Sequence, residues 1–284
     1  MTFDHVHIPV KNFWEEWDVD PVEEWLTALQ PITIHSLRIT TISDENGMNA
    51  LSAFTNLREL KIDHFVKEQF KDNDLKMNNL IGGILDLKPL MNMNNLRSLS
   101  INEHSDQRLN HESRQCLLLG TRRFLESTPT LRHLSLANIS MRDDYGFEYE
   151  FIKYVAKSRI SKLKIRNIFM ELDCIRGLCG NHTLKELDFE SVRECEDDAD
   201  IVNVIHTLSF DTHVEKVSFR WHSGFYSGVA QRVSNFLERS PTLKSLSVIE
   251  HDDSFDDGVH HIVWGKPVGA TYNYYIEDGF SWQI

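Results

Sequence analysis

Apolar residues recur along the chain in a short motif that is repeated eight times. Each repeat has the form apolar-x-x-apolar-x-apolar, and Leu, Ile, Val or Phe occupies all three apolar positions in every copy. Apolar residues two positions apart are typical of a strand with one buried face. We therefore predict eight short strands, at Ile34–Ile39, Leu57–Ile62, Leu96–Ile101, Leu131–Leu136, Ile160–Ile165, Leu184–Phe189, Val214–Phe219 and Leu243–Val248.

The segments between the repeats have a different periodicity. Successive repeats start about 30 residues apart on average, which leaves room for a helix after each strand. Apolar residues in these segments are spaced by three or four, as in an amphipathic helix. We predict helices within residues 47–54, 80–91, 114–126, 147–156, 172–178, 201–208 and 229–237, followed in several cases by turns containing Ser, Pro, Thr, Gly or Asn.

This alternation resembles that of leucine-rich repeat proteins of the ribonuclease-inhibitor-like type, in which each short strand is followed by a helix. The resemblance covers roughly residues 32–252. It implies an α/β fold, a leucine-rich repeat solenoid with a curved parallel sheet of about eight strands on its concave side and helices on its convex side. The chain departs from the family after each strand, where the usual Asn or Cys is replaced by Ile42, Phe65, His104, Ile139, Ile168, Val192, His222 and His251.

A solenoid leaves apolar surface uncovered at its two ends, so we expect caps. Residues 1–33 contain Asp20 followed by Pro21, a typical helix start, and predict an N-terminal helical cap. Residues 252–284 contain two β-rich runs, 259–264 and 270–276, which predict a β-hairpin-like C-terminal cap rich in aromatic residues. The solenoid itself is expected at residues 34–251, with about eight repeats.

Composition and charge narrow the class of protein. Of the 284 residues, 41% are hydrophobic and 26% are charged, which is typical of a folded globular chain. A net charge of −13 disfavours nucleic acid as a partner. The four cysteines are too sparse for a disulfide framework, and no segment is typical of a secretion signal or a membrane helix. We therefore expect a cytoplasmic or nuclear protein that does not associate with membranes.

Charge alternates between three consecutive repeats at positions expected on the concave face. These positions are basic in the fifth repeat, acidic in the sixth and basic in the seventh. Two interpretations remain open, because the rows can pair across neighbouring strands or form a polar docking surface with an Arg and Trp anchor. The candidate partner-binding residues are Lys162, Lys164, Arg166, Glu186, Asp188, Glu190, Lys216, Arg220, Trp221 and His222.

Other side chains offer weaker candidates for chemistry. The residue types of Cys174, Cys179, His182 and Cys195 suit zinc, but the spacing of the first two does not fit a zinc knuckle, so core cysteines are the better interpretation. No phosphate-binding loop, nucleophile elbow or metalloprotease motif occurs in the sequence. We expect no catalytic residues, no metal, no cofactor and no small-molecule substrate.

These patterns favour a non-catalytic adaptor or scaffold that binds another protein through the concave face and the aromatic C-terminal segment. The repeats are also similar to the substrate-recognition arm of F-box proteins. That resemblance implies, as the alternative function, a substrate-recognition subunit of an F-box-type ubiquitin ligase. An F-box is not evident in residues 1–33, where its Leu-Pro opening is missing.

Overall fold

Parallel strands alternate with helices along the chain, so the fold is α/β, as predicted. The computed structural model describes residues 2–9, 22–42, 45–65, 87–103, 120–137, 147–166, 170–189, 192–193, 198–221, 235–251 and 259–265. The chain divides into an N-terminal unit, Met1–Phe147, and a C-terminal unit, Glu148–Ile284.

The N-terminal unit contains parallel strands that neighbour one another in sequence order. They are β1 (Thr2–Ile8), β2 (Thr33–Ile42), β3 (Glu59–Phe65), β4 (Ser98–Glu103) and β5 (His133–Ala137). The helical segments between them are α1 (Val22–Leu29), α2 (Glu45–Leu51), a 3-10 helix (Lys88–Asn92) and α3 (residues 120–127). The 3-10 helix overlaps the end of the predicted helix 80–91 and has Pro89 in its first turn, a position that tolerates the missing N–H group.

The C-terminal unit has the same alternation. Its strands are β6 (Lys162–Arg166), β7 (Met170–Glu171), β8 (Glu186–Phe189), β9 (Val192–Arg193), β10 (Lys216–Trp221), β11 (Ser245–His251) and β12 (Val259–Gly265). Strands β6, β8, β10 and β11 are parallel neighbours, whereas β7 and β9 form a separate two-stranded sheet. The helices are α4 (Phe147–Lys157), α5 (Leu172–Arg176), α6 (Asp198–His206), a π-helix (Thr207–Asp211) and α7 (residues 235–239).

The three apolar positions of each repeat form the core of each unit. Every one of them is at most 3% exposed, apart from Val248, whose side chain lies outside the described part. Equivalent positions are register partners in the N-terminal unit, where Leu60 lies between Leu37 and Leu99. In the C-terminal unit, the rings of Phe189 and Phe219 stack with centroids 5.2 Å apart. The predicted strands are therefore confirmed, and their burial explains the repeated motif.

The helices contribute one apolar side each to these cores. Leu26 of α1, Leu51 of α2, Phe124 of α3 and Val155 of α4 are all fully buried, whereas Trp25 is 55% exposed. This pattern agrees with the amphipathic spacing read from the sequence. None of the helices in the described part of the chain has the length and apolar character needed to cross a membrane.

The two ends of the chain contain strands whose arrangement the sequence analysis did not predict. Residues 1–33, expected to form a helical cap, contain β1 as well as α1, and β1 pairs in parallel with β2. Strand β1 is mostly exposed, so it shows little apolar alternation and depends on backbone pairing. The predicted strand 259–264 is present as β12, which pairs antiparallel with β11. Its predicted partner, 270–276, lies outside the described residues.

A buried asparagine joins two repeats at the turn before β8. The side-chain oxygen of Asn181 accepts hydrogen bonds from the backbone N–H groups of Thr183 and Leu184, at 2.9 and 2.7 Å. Its amide nitrogen donates to the carbonyl oxygen of Ala156, which belongs to the preceding repeat. Asn181 therefore fixes the turn and links it to the neighbouring repeat at the same time.

Other turns have a polar side chain one to three residues before the first apolar position of the repeat. Ser240, before β11, accepts from the N–H of Leu243 at 2.9 Å and donates to the carbonyl of Ser209 at 2.6 Å. In the N-terminal unit, the hydroxyl of Thr130 donates to the carbonyl of Leu96 at 2.9 Å. The chain thus has a row of polar links before its strands, where buried backbone groups need partners.

We expect Asn181→Ala to lower the free energy of unfolding by about 1 to 3 kcal/mol, because buried backbone groups lose their partners. Urea denaturation followed by circular dichroism measures this loss. The matched control is Asn203→Ala, on the exposed side of α6 in the same unit. It should leave stability unchanged or raise it slightly, since Ala is the better helix former. Equal losses in both variants would contradict the structural role of Asn181.

Candidate functional site

Each strand carries polar side chains on the side opposite its buried residues. We call this side, which bears the third and fifth positions of each repeat, the polar face. In the C-terminal unit its third positions on β6, β8 and β10 are Lys162, Glu186 and Lys216. Glu186 is the register partner of both lysines, so the three side chains stand side by side at the strand spacing of about 4.8 Å.

Glu186 is paired with both lysines. Lys162 Nζ lies 2.8 Å from one carboxylate oxygen and Lys216 Nζ lies 3.1 Å from the other. Hydrogen bonds from Lys162 and then from Lys216 hold the pKa of Glu186 below its ordinary value. The Glu186 side chain is 33% exposed, so solvent screens these pairs and each contributes about 0.2 to 1 kcal/mol to stability.

A second pair follows two residues further along the same strands. Lys164 Nζ on β6 lies 3.3 Å from a carboxylate oxygen of Asp188 on β8, and the two residues are register partners. The first of the two interpretations left open by the sequence, pairing across strands, is therefore confirmed for the described side chains. Pairing also holds these side chains in one arrangement on the polar face.

Three of the remaining candidate residues lie at the ends of the strands that carry these pairs. Arg166 ends β6, and Arg220 and Trp221 end β10, but their side chains are outside the described part of the structure. Glu190 and His222 lie outside the described residues. The role of these five residues in partner binding stays a prediction.

The sequence analysis missed a further charged row, at the second position of the repeats. Glu215 lies between Lys185 and Lys244 and forms an ion pair with each, at 3.4 Å with Lys185. The hydrogen bond from Lys244 is the main cause that lowers the pKa of Glu215 below its ordinary value. Aligning the repeats shows the signal for this row, because the second position is basic in Arg58, Arg97, Arg132, Lys185 and Lys244.

The N-terminal unit contains a cluster of the same composition. Asp63 on β3 accepts from Arg38 Nε at 2.6 Å and lies 2.9 Å from Lys61 Nζ. Partial burial raises the pKa of Asp63, but hydrogen bonds from Arg38 and Lys61 outweigh burial and bring the pKa below its ordinary value. Arg38 and Lys61 are register partners on β2 and β3, so one carboxylate again joins two strands.

Each of these clusters combines one carboxylate with two cations. Glu186, Glu215 and Asp63 each carry one negative charge, and each is paired with two basic side chains. Each cluster therefore keeps one net positive charge, although the whole chain carries −13. The strands present locally positive, paired groups on an acidic protein.

A depression of about 450 Å³ lies on the polar face of the N-terminal unit. It is formed where short serine side chains stand beside longer ones. Its lining includes His5, Ser36, Arg38, Lys61, Ser98 and Ser100, which come from β1, β2, β3 and β4. These side chains offer several hydrogen-bond donors to a group that enters the depression.

The zinc candidates are not brought together in the part of the chain that the structure describes. Cys174 is buried in α5 and Cys179 is exposed, while Nδ1 of His182 lies 3.0 Å from Nε2 of His213. Partial burial, followed by the charge of Asp211, raises the pKa of the Cys179 thiol. A raised pKa disfavours the thiolate, which is the form that binds metal. No group of three or more His, Cys, Asp or Glu residues in the described ranges is arranged to hold a metal ion. Cys195 lies outside them.

Comparison with models of known protein families gives no match for this chain, and comparison with curated proteins gives none either. The resemblance to leucine-rich repeat proteins therefore stays a prediction from the repeated motif.

The depressed pKa of Glu186 predicts a pH-dependent contribution to stability. This contribution is complete above the ordinary value of 4.5 and is lost as the pH falls through the lower value of the folded protein. We expect Glu186→Gln to be less stable than the wild type near neutral pH, and the difference to shrink as the pH falls below about 4.5 and through the lowered pKa of Glu186. Urea denaturation at several pH values measures it.

Direct titration of Glu186 by NMR provides the matched control for this prediction. Lys162→Ala and Lys216→Ala should each move the pKa of Glu186 towards 4.5, because each removes one hydrogen bond to the carboxylate. Arg123→Ala, at an exposed position of α3, should not move it. A Glu186 pKa that does not respond to either lysine would contradict the pairing.

Proposed function

We propose that this chain is a leucine-rich repeat solenoid with capped ends that acts as a non-catalytic adaptor or scaffold. It binds another protein through the polar face of its strands, which forms the concave side, and through the aromatic C-terminal segment. The observation that carries the proposal is the arrangement of charged side chains on neighbouring strands, in register and paired. In this proposal the partner binds to a surface that extends over several repeats.

Pairing on the polar face favours binding of a protein surface. Long side chains such as Lys162 and Lys216 lose rotamer freedom when they are fixed at an interface, at a cost of about 0.5 to 1.5 kcal/mol each. Glu186 already restricts both of them in the free protein. Binding of a partner to this surface therefore costs less side-chain entropy than binding to unpaired lysines would.

We assign the anchor of the proposed interface to the C-terminal end of β10 and to His222, the next residue in the sequence. Arg220 and Trp221 are the last two residues of β10, and Trp and Arg are the residue types most enriched among binding hot spots. Backbone pairing places Trp221 beside Glu250 of β11 and in the same strand as Lys216. The anchor thus lies on the same strand as Lys216, at its other end.

The test is affinity capture from the native cell extract, read by mass spectrometry, with matched variants of the tagged full chain. A double variant, Arg220→Glu with Trp221→Ala, should lose the captured protein by about tenfold or more, since such anchors contribute at least 1 to 2 kcal/mol. Lys162→Glu should also weaken capture, because it places a second carboxylate beside Glu186. The control, Arg123→Glu on α3, should capture as the wild type does.

Two outcomes of this experiment separate the alternatives. Capture that survives both Lys162→Glu and the double variant, with all variants folded by circular dichroism, refutes the polar face as the binding surface. Ubiquitin-ligase subunits among proteins lost from the double variant would assign the substrate-recognition role. A direct titration of the purified partner against the same variants then measures the change in Kd.

A further inference from the structure

Three arginines occupy the second position of neighbouring repeats in the N-terminal unit. Arg58, Arg97 and Arg132 each immediately precede a strand, β3, β4 and β5 respectively. The N–H of Arg97 donates to the carbonyl of Arg58 at 2.7 Å, and the N–H of Arg132 donates to the carbonyl of Arg97 at 2.8 Å. Backbone hydrogen bonds therefore hold the three residues in one row, which we call the arginine row.

The side chains of Arg58 and Arg97 are exposed and make no ion pair with any side chain in the described part of the chain. Arg132 donates to the carbonyl oxygens of Pro129 and Leu131, at 2.8 and 2.9 Å. Glu59 follows Arg58 directly but is not within ion-pair distance of it. Arg58 and Arg97 are thus cationic groups of the arginine row that the described acids do not neutralise.

The equivalent row of the C-terminal unit shows what the arginine row lacks. There, the second positions of three successive repeats are Lys185, Glu215 and Lys244, and the central carboxylate pairs with both lysines. In the N-terminal unit the central position is Arg97. Like charges side by side on neighbouring strands are unfavourable, so an external carboxylate above Arg97 relieves repulsion and forms charge-assisted hydrogen bonds.

We propose that the arginine row binds an acidic segment of a partner protein, whose Asp or Glu carboxylates take the place that Glu215 has in the C-terminal unit. The inference rests on the proposed function and narrows it to one row and one chemistry of partner. Alternate side chains of an extended peptide lie about 6.8 Å apart and members of the row about 4.8 Å apart, a difference of about 2 Å that the long, flexible arginine side chains can span. Guanidinium groups bind carboxylates through two parallel hydrogen bonds.

Charge favours an acidic peptide over nucleic acid as the occupant. The net charge of −13 repels a long polyanion, which requires many phosphate contacts. A short acidic segment needs only the few guanidinium groups of the row. Glu59, beside Arg58, also opposes a ligand that carries charge at every residue along its length.

Fluorescence anisotropy with the full chain tests the proposal. The probe is a labelled ten-residue peptide with Glu at alternate positions, and the control probe has Gln at those positions. At about 50 mM salt, the Glu peptide should bind at least about tenfold more tightly than the Gln peptide. Arg58→Gln and Arg97→Gln should each reduce its affinity by about fivefold or more, whereas Arg123→Gln on α3 should not.

A charge-reversal variant separates loss of binding from loss of folding. Arg97→Glu reproduces in the N-terminal unit the cation–carboxylate–cation order of Lys185, Glu215 and Lys244. It should therefore keep the circular dichroism spectrum and the unfolding midpoint of the wild type while removing detectable binding of the Glu peptide. Because the new carboxylate gives the flanking arginines an opposite charge, we expect the variant to fold. Loss of folding would then not explain the loss of peptide binding.

Specific results overturn this inference without overturning the proposed function. Equal binding of the Glu and Gln peptides, or unchanged binding in both Arg→Gln variants, refutes the arginine row as an acidic-segment site. Tighter binding of a single-stranded oligonucleotide that depends on Arg58 and Arg97 refutes the peptide and assigns nucleic acid. In either case, capture of a partner that responds to the Arg220 and Trp221 variants leaves the proposed function intact.

Discussion

Burial of the same three apolar positions in every repeat is the constraint on which the rest of the structure depends. Because side chains alternate across a strand, burying the fourth and sixth positions forces the third and fifth to the opposite side. A slip of one residue would exchange the two sets and place Lys162 or Glu186 in the core, so the register is strongly specified. The alignment of charges on neighbouring strands is therefore a direct result of hydrophobic burial.

The eight strands, and the helices where they are described, were predictable because each has a strong apolar period. Strand β1 and the two-residue strands β7 and β9 were not, since their pairing depends on backbone neighbours rather than on a pattern of their own. The charged rows of Lys162, Glu186 and Lys216 were also identified from sequence. Whether they pair was not decidable there, because residue types alone do not fix the distance between two side chains. The Lys185–Glu215 row was missed because only positions expected on the concave face were compared.

The clusters show how an acidic chain can carry a positive surface. A carboxylate has two oxygens, so it can receive a lysine from each flanking strand, and the resulting group keeps one positive charge. This arrangement lowers repulsion between cations about 10 Å apart on alternate strands without neutralising them. At short range, association with an acidic surface would then be governed by local charge and reduced by salt.

The polar links before the strands have a consequence for how such a chain can change in length. Asn181 and Ser240 each donate a hydrogen bond to a carbonyl of the repeat immediately before them. A duplicated repeat would contain its own linking side chain, which would donate to a backbone carbonyl of the repeat before it. Its own backbone carbonyl would accept from the linking side chain of the repeat after it. Gain or loss of a whole repeat therefore preserves these links. The variable spacing of the eight repeats fits this rule, because extra residues between links leave the links themselves unchanged.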